Sequence, residues 1–144
     1  MTTNIHRNAQ GKKNMVTGVW FLAGFMVYGF VLIYLRDFAP DKAQWIAGSA
    51  DGKHFESRLA HVHGNLFALL NLLVGYLLWQ LPIAKKAASR ISWLALAGML
   101  MPIGILAEVL LGVPPVFVIL GGLSIIASMV YLGFAIMSMK TQTI

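Results

Sequence analysis

A chain of 144 residues in which 58% are hydrophobic and only 11% charged is one domain by length, and too poor in charge for a water-soluble one, which averages about 25% charged residues. The absence of cysteine excludes disulfides and thiolate metal sites. The net charge of +6 is not a nucleic-acid footprint, because of where it lies. Arg7, Lys12, Lys13, Lys85, Lys86, Arg90 and Lys140 fall in stretches without an acidic residue, whereas Arg36, Lys42, Lys53 and Arg58 are balanced by Asp37, Asp41, Asp51 and Glu56. Such asymmetry marks membrane topology, with the basic segments and both termini on the cytoplasmic side.

Four apolar runs follow in order, each long enough to cross a bilayer as a helix. The polar tail Thr2–Asn14 resembles the basic start of a signal peptide. The run after it, 15–35, is too long for one and ends at Leu35-Arg36-Asp37 without a small-residue cleavage site, so it is expected to remain as the first span. A long outer loop, 36–58, carries turn and interface residues: Pro40, Trp45, Gly48-Ser49 and Asp51-Gly52. The second span is predicted over 59–81 and is closed by Pro82. The third covers 91–112, with Pro102 expected to kink it and free a carbonyl near Gly98. The turn Gly112-Val113-Pro114-Pro115 leads into the fourth, 115–139. The expected fold is therefore all-α: an integral membrane four-helix bundle, multi-pass, in a bacterial-type inner membrane. The last three spans, joined by short connections, should pack antiparallel as neighbours. Gly18, Gly24 and Gly29, Ala95 and Gly98, and Gly121-Gly122 are expected at close helix contacts.

The informative cluster is His61-Val62-His63-Gly64-Asn65 at the start of the second span. Polar side chains inside a span are costly and mark sites when they face the protein. His61 and His63 fall in about the first turn of the predicted helix, and Glu108, the only acidic residue within a span, falls about one turn before the end of the third. All three, with Tyr34, are expected at similar depth near the outer surface, whereas Asn71 is about 15 Å deeper. Residues two apart on a helix point about 200° apart, so His61 and His63 cannot chelate one metal together. His61 shares its face with Asn65; His63 shares its face with Phe67 and Val74. Each polar group also has a plain structural account: an interfacial histidine, a Glu108 that snorkels or pairs with Arg58, and Met26, Met99, Met101 and Met129 as core. No phosphate loop or nucleophile arrangement is present. A lone imidazole in an apolar bundle suits haem iron, which needs one proximal protein ligand.

The stretch Gly48-Ser49…Gly52…Arg58-Leu59-Ala60-His61-Val62-His63-Gly64, with Gly75 eleven residues on, resembles the small four-helix membrane family of styrene oxide isomerase and hydroxylaminobenzene mutase. The resemblance implies haem b ligated by His61, with His63 as the alternative ligand, near a subunit interface in a small homo-oligomer. It implies ferric haem acting as a Lewis acid on an epoxide, isomerising it to an aldehyde. Arg58 and Gly64 would then border the cofactor. Asn65, Asn71 and Glu108 would line the pocket for a small apolar substrate entering from the lipid. The chain departs from the isomerase in carrying Phe67 where an asparagine stands six residues after the haem histidine, and its asparagines fall at Asn65 and Asn71 instead. Two other functions fit the same residues. One is a haem- or quinone-linked electron-transfer subunit with His63 or Met101 as a second axial ligand; the other is a small transport or structural membrane protein in which the histidines and Glu108 relay protons or simply pack.

Overall fold

The structure, a computed structural model, describes residues 9–139, so Arg7 and Lys140 lie outside the described residues. It consists of α1 (Ala9–Asp37), α2 (Lys42–Ala47), α3 (Lys53–Gln80), α4 (Lys85–Gly98), α5 (Leu100–Leu111) and α6 (Val116–Met137), with no strand among the described residues. Four helical stretches are long and apolar enough to cross a membrane: α1, α3, α4 with α5, and α6. The outward surface is equally apolar, with Trp20, Phe30, Leu110, Leu123 and Phe134 exposed. Helices that are hydrophobic all round are those of membrane spans. These are the helices of a multi-pass membrane protein.

α1 begins at Ala9, not at 15. Its buried residues Gly11, Asn14, Gly18, Phe25 and Leu32 repeat at intervals of three, four and seven, the seam of a helix packed nearly parallel or antiparallel to a partner. That partner is α3, whose Gly64, Ala68, Asn71 and Gly75 are buried. A Cβ on Gly11 would lie 2.5 Å from the Gly75 carbonyl oxygen, and one on Gly18 would lie 2.7 Å from that of Ala68. The two backbones are therefore in contact, as small residues allow between membrane helices. Gly29 meets His61 further along, so rising numbers on α1 pair with falling numbers on α3. Gly24 contacts nothing within 4 Å of a Cβ position: it sits one residue off the seam and faces outward, contrary to expectation.

The connection between the first two spans is shorter than predicted, because α2 occupies part of it and α3 starts at Lys53, not 59. Trp45 of α2 stacks on His54 with ring centroids 4.9 Å apart, and His54 Nδ1 donates to the Trp45 carbonyl at 3.1 Å. His61 consequently lies eight residues, about 12 Å, into its helix rather than in the first turn.

The third span is broken into α4 and α5 at Met99. Pro102 has no N–H to give the Gly98 carbonyl, which removes one rung of the helix ladder. The next bond, Ile103 N–H to the Met99 carbonyl, is long at 3.4 Å, and Met99 N–H turns back to Leu96 at 3.0 Å. Gly98 fits against Ile125 of α6, and Gly121 of α6 fits against the backbone of Met101. α5 ends on Gly112, whose φ of 66° is left-handed and suited to glycine, with its N–H on the Glu108 carbonyl at 2.9 Å. α6 touches only α4 and α5, and α1 shares no contact with it among the described residues. The spans thus form an open row with α1 and α6 at its edges.

A buried polar knot ties the row together. Asn14 Nδ2 donates to Asn71 Oδ1 at 2.9 Å and to the Ser92 carbonyl at 3.2 Å, while Ser92 Oγ donates to Asn14 Oδ1. Asn71 Nδ2 donates to the carbonyls of Phe67 (3.1 Å) and Ala95 (3.0 Å), and Ser128 Oγ donates to that of Ile91 at 2.9 Å. Asn14, Asn71, Ser92 and Ser128 have no exposed surface.

Candidate functional site

His61 lies on the half of the α1–α3 contact nearer α2. Its ring rests against Gly29, where a Cβ would sit 2.7 Å from the ring Cε1, so glycine there makes room for the imidazole. The Tyr28 ring is 6.3 Å away, tilted by 50°. One turn on, Asn65 Nδ2 donates to the His61 carbonyl at 2.9 Å and lies 3.3 and 3.4 Å from the ring Nδ1 and Nε2. The Asn65 Oδ1 is buried and has no hydrogen-bond partner. Leaving such an acceptor unpaired costs about 1–3 kcal/mol.

His61 and Asn65 are the polar part of a groove of about 510 Å³, walled by Met26, Phe30, Leu32 and Ile33 of α1 and floored by Gly29. That size is within the roughly 300–1,000 Å³ usual for small-molecule sites, which are mostly apolar with a few placed polar groups. The groove opens outward, away from the rest of the row.

The other residues picked out in the sequence are placed elsewhere. Gly64 lies under the Phe25 ring, which occupies the space a side chain would need, so it packs α1 on α3 and does not face the groove. Asn71 is enclosed in the polar knot with both amide hydrogens and its oxygen engaged. Glu108, half-buried on α5, does not line the groove, and it does not pair with Arg58: the one ion pair among the described residues joins Arg36 to Asp37 at 2.7 Å. Arg58 is exposed three residues before His61, on the same side of α3. His63 Nδ1 donates to the Leu59 carbonyl at 2.9 Å, and its ring stands edge-on to Phe67, so the two histidines are divided between faces as their spacing requires. Met101 is held against Gly121 and Gly122 of α6. No cluster of three or more histidine, aspartate or glutamate side chains able to hold a metal ion occurs among the described residues.

The residues that the sequence did not single out are Asn14, Ser92 and Ser128. Asn14 reads as part of a basic tail. Its signal is the seven-residue register it shares with Gly18, Phe25 and Leu32.

No family model matches the chain, and neither a curated protein nor a solved structure is similar to it.

Proposed function

We propose that the chain binds haem b through His61 in the α1–α3 groove and acts as an isomerase-type enzyme on a small apolar substrate that enters from the lipid. The observation that carries this reading is a single imidazole paired with an unpartnered buried acceptor in an otherwise apolar, outward-open groove. The donor set fits: one imidazole, no thiolate and no cluster of three metal ligands among the described residues suit a ring-bound iron rather than a free ion, with the Met26 thioether the other soft donor lining the groove. Ferric haem held there would supply a Lewis acid able to polarise a substrate oxygen.

The protein's own contributions are separable. His61 would ligate the iron, and Gly29 gives its ring a flat seat. Asn65 fixes the local backbone through the His61 carbonyl, and its Oδ1, buried without a partner, is an acceptor left for a bound group to satisfy. Arg58, exposed at the outer end of the same helix side, offers its cation to a carboxylate of the cofactor. Met26, Phe30 and Ile33 exclude water. Asn71, enclosed in the polar knot, and Glu108, on α5, do not line the groove and take no part in holding the cofactor. The topology that goes with it has both termini cytoplasmic in a bacterial-type inner membrane. The open row leaves the groove side of α1 available to a second copy, in keeping with a homo-oligomer.

The test is the absorption spectrum of detergent-purified protein expressed with ample haem supply. A Soret band that disappears in His61→Ala and persists in His63→Ala is expected. A band that survives His61→Ala, or none in the parent protein, overturns the assignment. A six-coordinate low-spin spectrum would instead support the electron-transfer function, which His63 and Met101 are poorly placed to serve.

A further inference from the structure

At the opposite end of the row from the groove, a second cavity of about 590 Å³ lies between the α3–α4 turn and the last turns of α6. Pro82, Ile83, Phe134 and Ala135 form its apolar wall, and Tyr131 and Ser138 its polar part. Arg90 of α4 is held at its rim, donating from Nη1 to the Tyr131 hydroxyl at 3.3 Å. That bond uses one of the five guanidinium donors. Lys85 and Lys86 are exposed in the first turn of α4, which carries no acidic residue.

Charge is segregated along the molecule. The antiparallel helices bring the start of α1, the end of α3, the start of α4 and the end of α6 to one end. Lys12, Lys13, Lys85, Lys86 and Arg90 are all there, whereas Asp37, Asp41, Asp51, Glu56 and Glu108 lie at or near the other. The basic end therefore has no described carboxylate to satisfy Arg90 or the lysines. A cavity with an apolar wall, a guanidinium bonded to its lining Tyr131 and a basic end of the molecule around it matches an amphiphile with an anionic head.

We infer that this cavity is a binding site for an anionic phospholipid, with the phosphate head at Arg90, Lys85 and Lys86 and an acyl chain along Ile83 and Phe134. A free phosphate would use the mouth but not the wall. Basic pockets between membrane helices select anionic lipids in this way, each basic side chain near a membrane surface adding to the attraction.

The test uses the full chain, delipidated in detergent and mixed with equal amounts of phosphatidylglycerol and phosphatidylcholine of identical acyl chains, with retained lipid counted by native mass spectrometry. Phosphatidylglycerol is expected to be retained about tenfold over phosphatidylcholine. The combined variant Lys85→Gln, Lys86→Gln, Arg90→Gln should bring that ratio close to one at unchanged helical circular dichroism, and Tyr131→Phe alone should lower it about twofold. The variant Lys12→Gln, Lys13→Gln, which removes charge from the same end but not from the cavity, should keep most of the preference. An equal loss in that variant would mean diffuse attraction and would overturn the site. So would a parent protein with no preference, or full displacement of the lipid by millimolar inorganic phosphate.

Discussion

Asn65 and Asn71 are the same residue type on the same helix, six positions apart, and they do opposite things. Asn71 has no exposed surface, and its donors and acceptor are matched to Asn14, Phe67 and Ala95. Asn65 is half-buried with an orphaned Oδ1 beside His61 and an outward groove. A satisfied buried amide in an apolar bundle contributes to assembly; an unsatisfied one is retained against a cost that folding alone gives no reason to bear. Polarity inside a span is therefore insufficient to mark a site. What separates the two asparagines is whether the hydrogen-bond inventory of each side chain closes.

The comparison can be broken first at the closed end. Gly75→Leu should have the largest effect: a Cβ there would lie 2.6 Å from the Gly11 carbonyl oxygen and 2.7 Å from the Met15 nitrogen. Backbone atoms cannot swing aside, so a loss of about 3 kcal/mol or more is expected, read as a fall in unfolding free energy or as failure to purify as a folded species. Asn71→Ala should follow, at about 2 kcal/mol, since it strands the Asn14 amide and the Ala95 carbonyl. If Asn71→Ala were neutral, the knot would not be holding the helices.

At the open end the stability effects should be small and the ligand effects large. His61→Ala is expected to abolish haem uptake while lowering stability by less than about 1 kcal/mol, by thermal unfolding of the cofactor-free protein. Asn65→Ala should be smallest in stability, within about 0.5 kcal/mol or slightly stabilising, because it removes an unpaired acceptor. Its mark would be a shifted Soret band and reduced turnover. A destabilisation as large as that of Asn71→Ala would erase the contrast between the two asparagines.

Much of the architecture was legible without coordinates. The four spans follow from the apolar runs, the break of the third from Pro102, and the division of His61 from His63 from helical geometry. Gly18, Gly29, Gly98 and Gly121 do fall at close contacts. Asn14 was not legible as core, because flanking Lys12 and Lys13 give it the local character of a tail and its partners are 57 and 78 residues away. The early start of α3 was hidden for a similar reason: Lys53–Arg58 is polar, and helix there is stabilised by packing of His54 on Trp45 rather than by an apolar run. The groove was legible only in part. His61 and Asn65 share a face by spacing, but that Gly29 lies opposite them depends on the relative shift of two helices.

That shift is itself specified. The glycine and apolar seam of α1 repeats every seven residues, so α1 displaced by two turns along α3 would still find small residues to pack against: Gly18 would face Gly75, and Phe25 would face Ala68. The Asn14–Asn71 pair breaks the degeneracy, since in the displaced arrangement each would be stranded among apolar neighbours, and Phe25 would meet the Ala68 side chain in place of the bare Gly64 backbone. One buried polar pair thus acts as an index mark, as a single asparagine does in coiled coils. Gly29 is fifteen residues from Asn14, about 22 Å along a rigid helix. The pair at one end of the molecule thereby chooses which residue lies beneath His61 at the other.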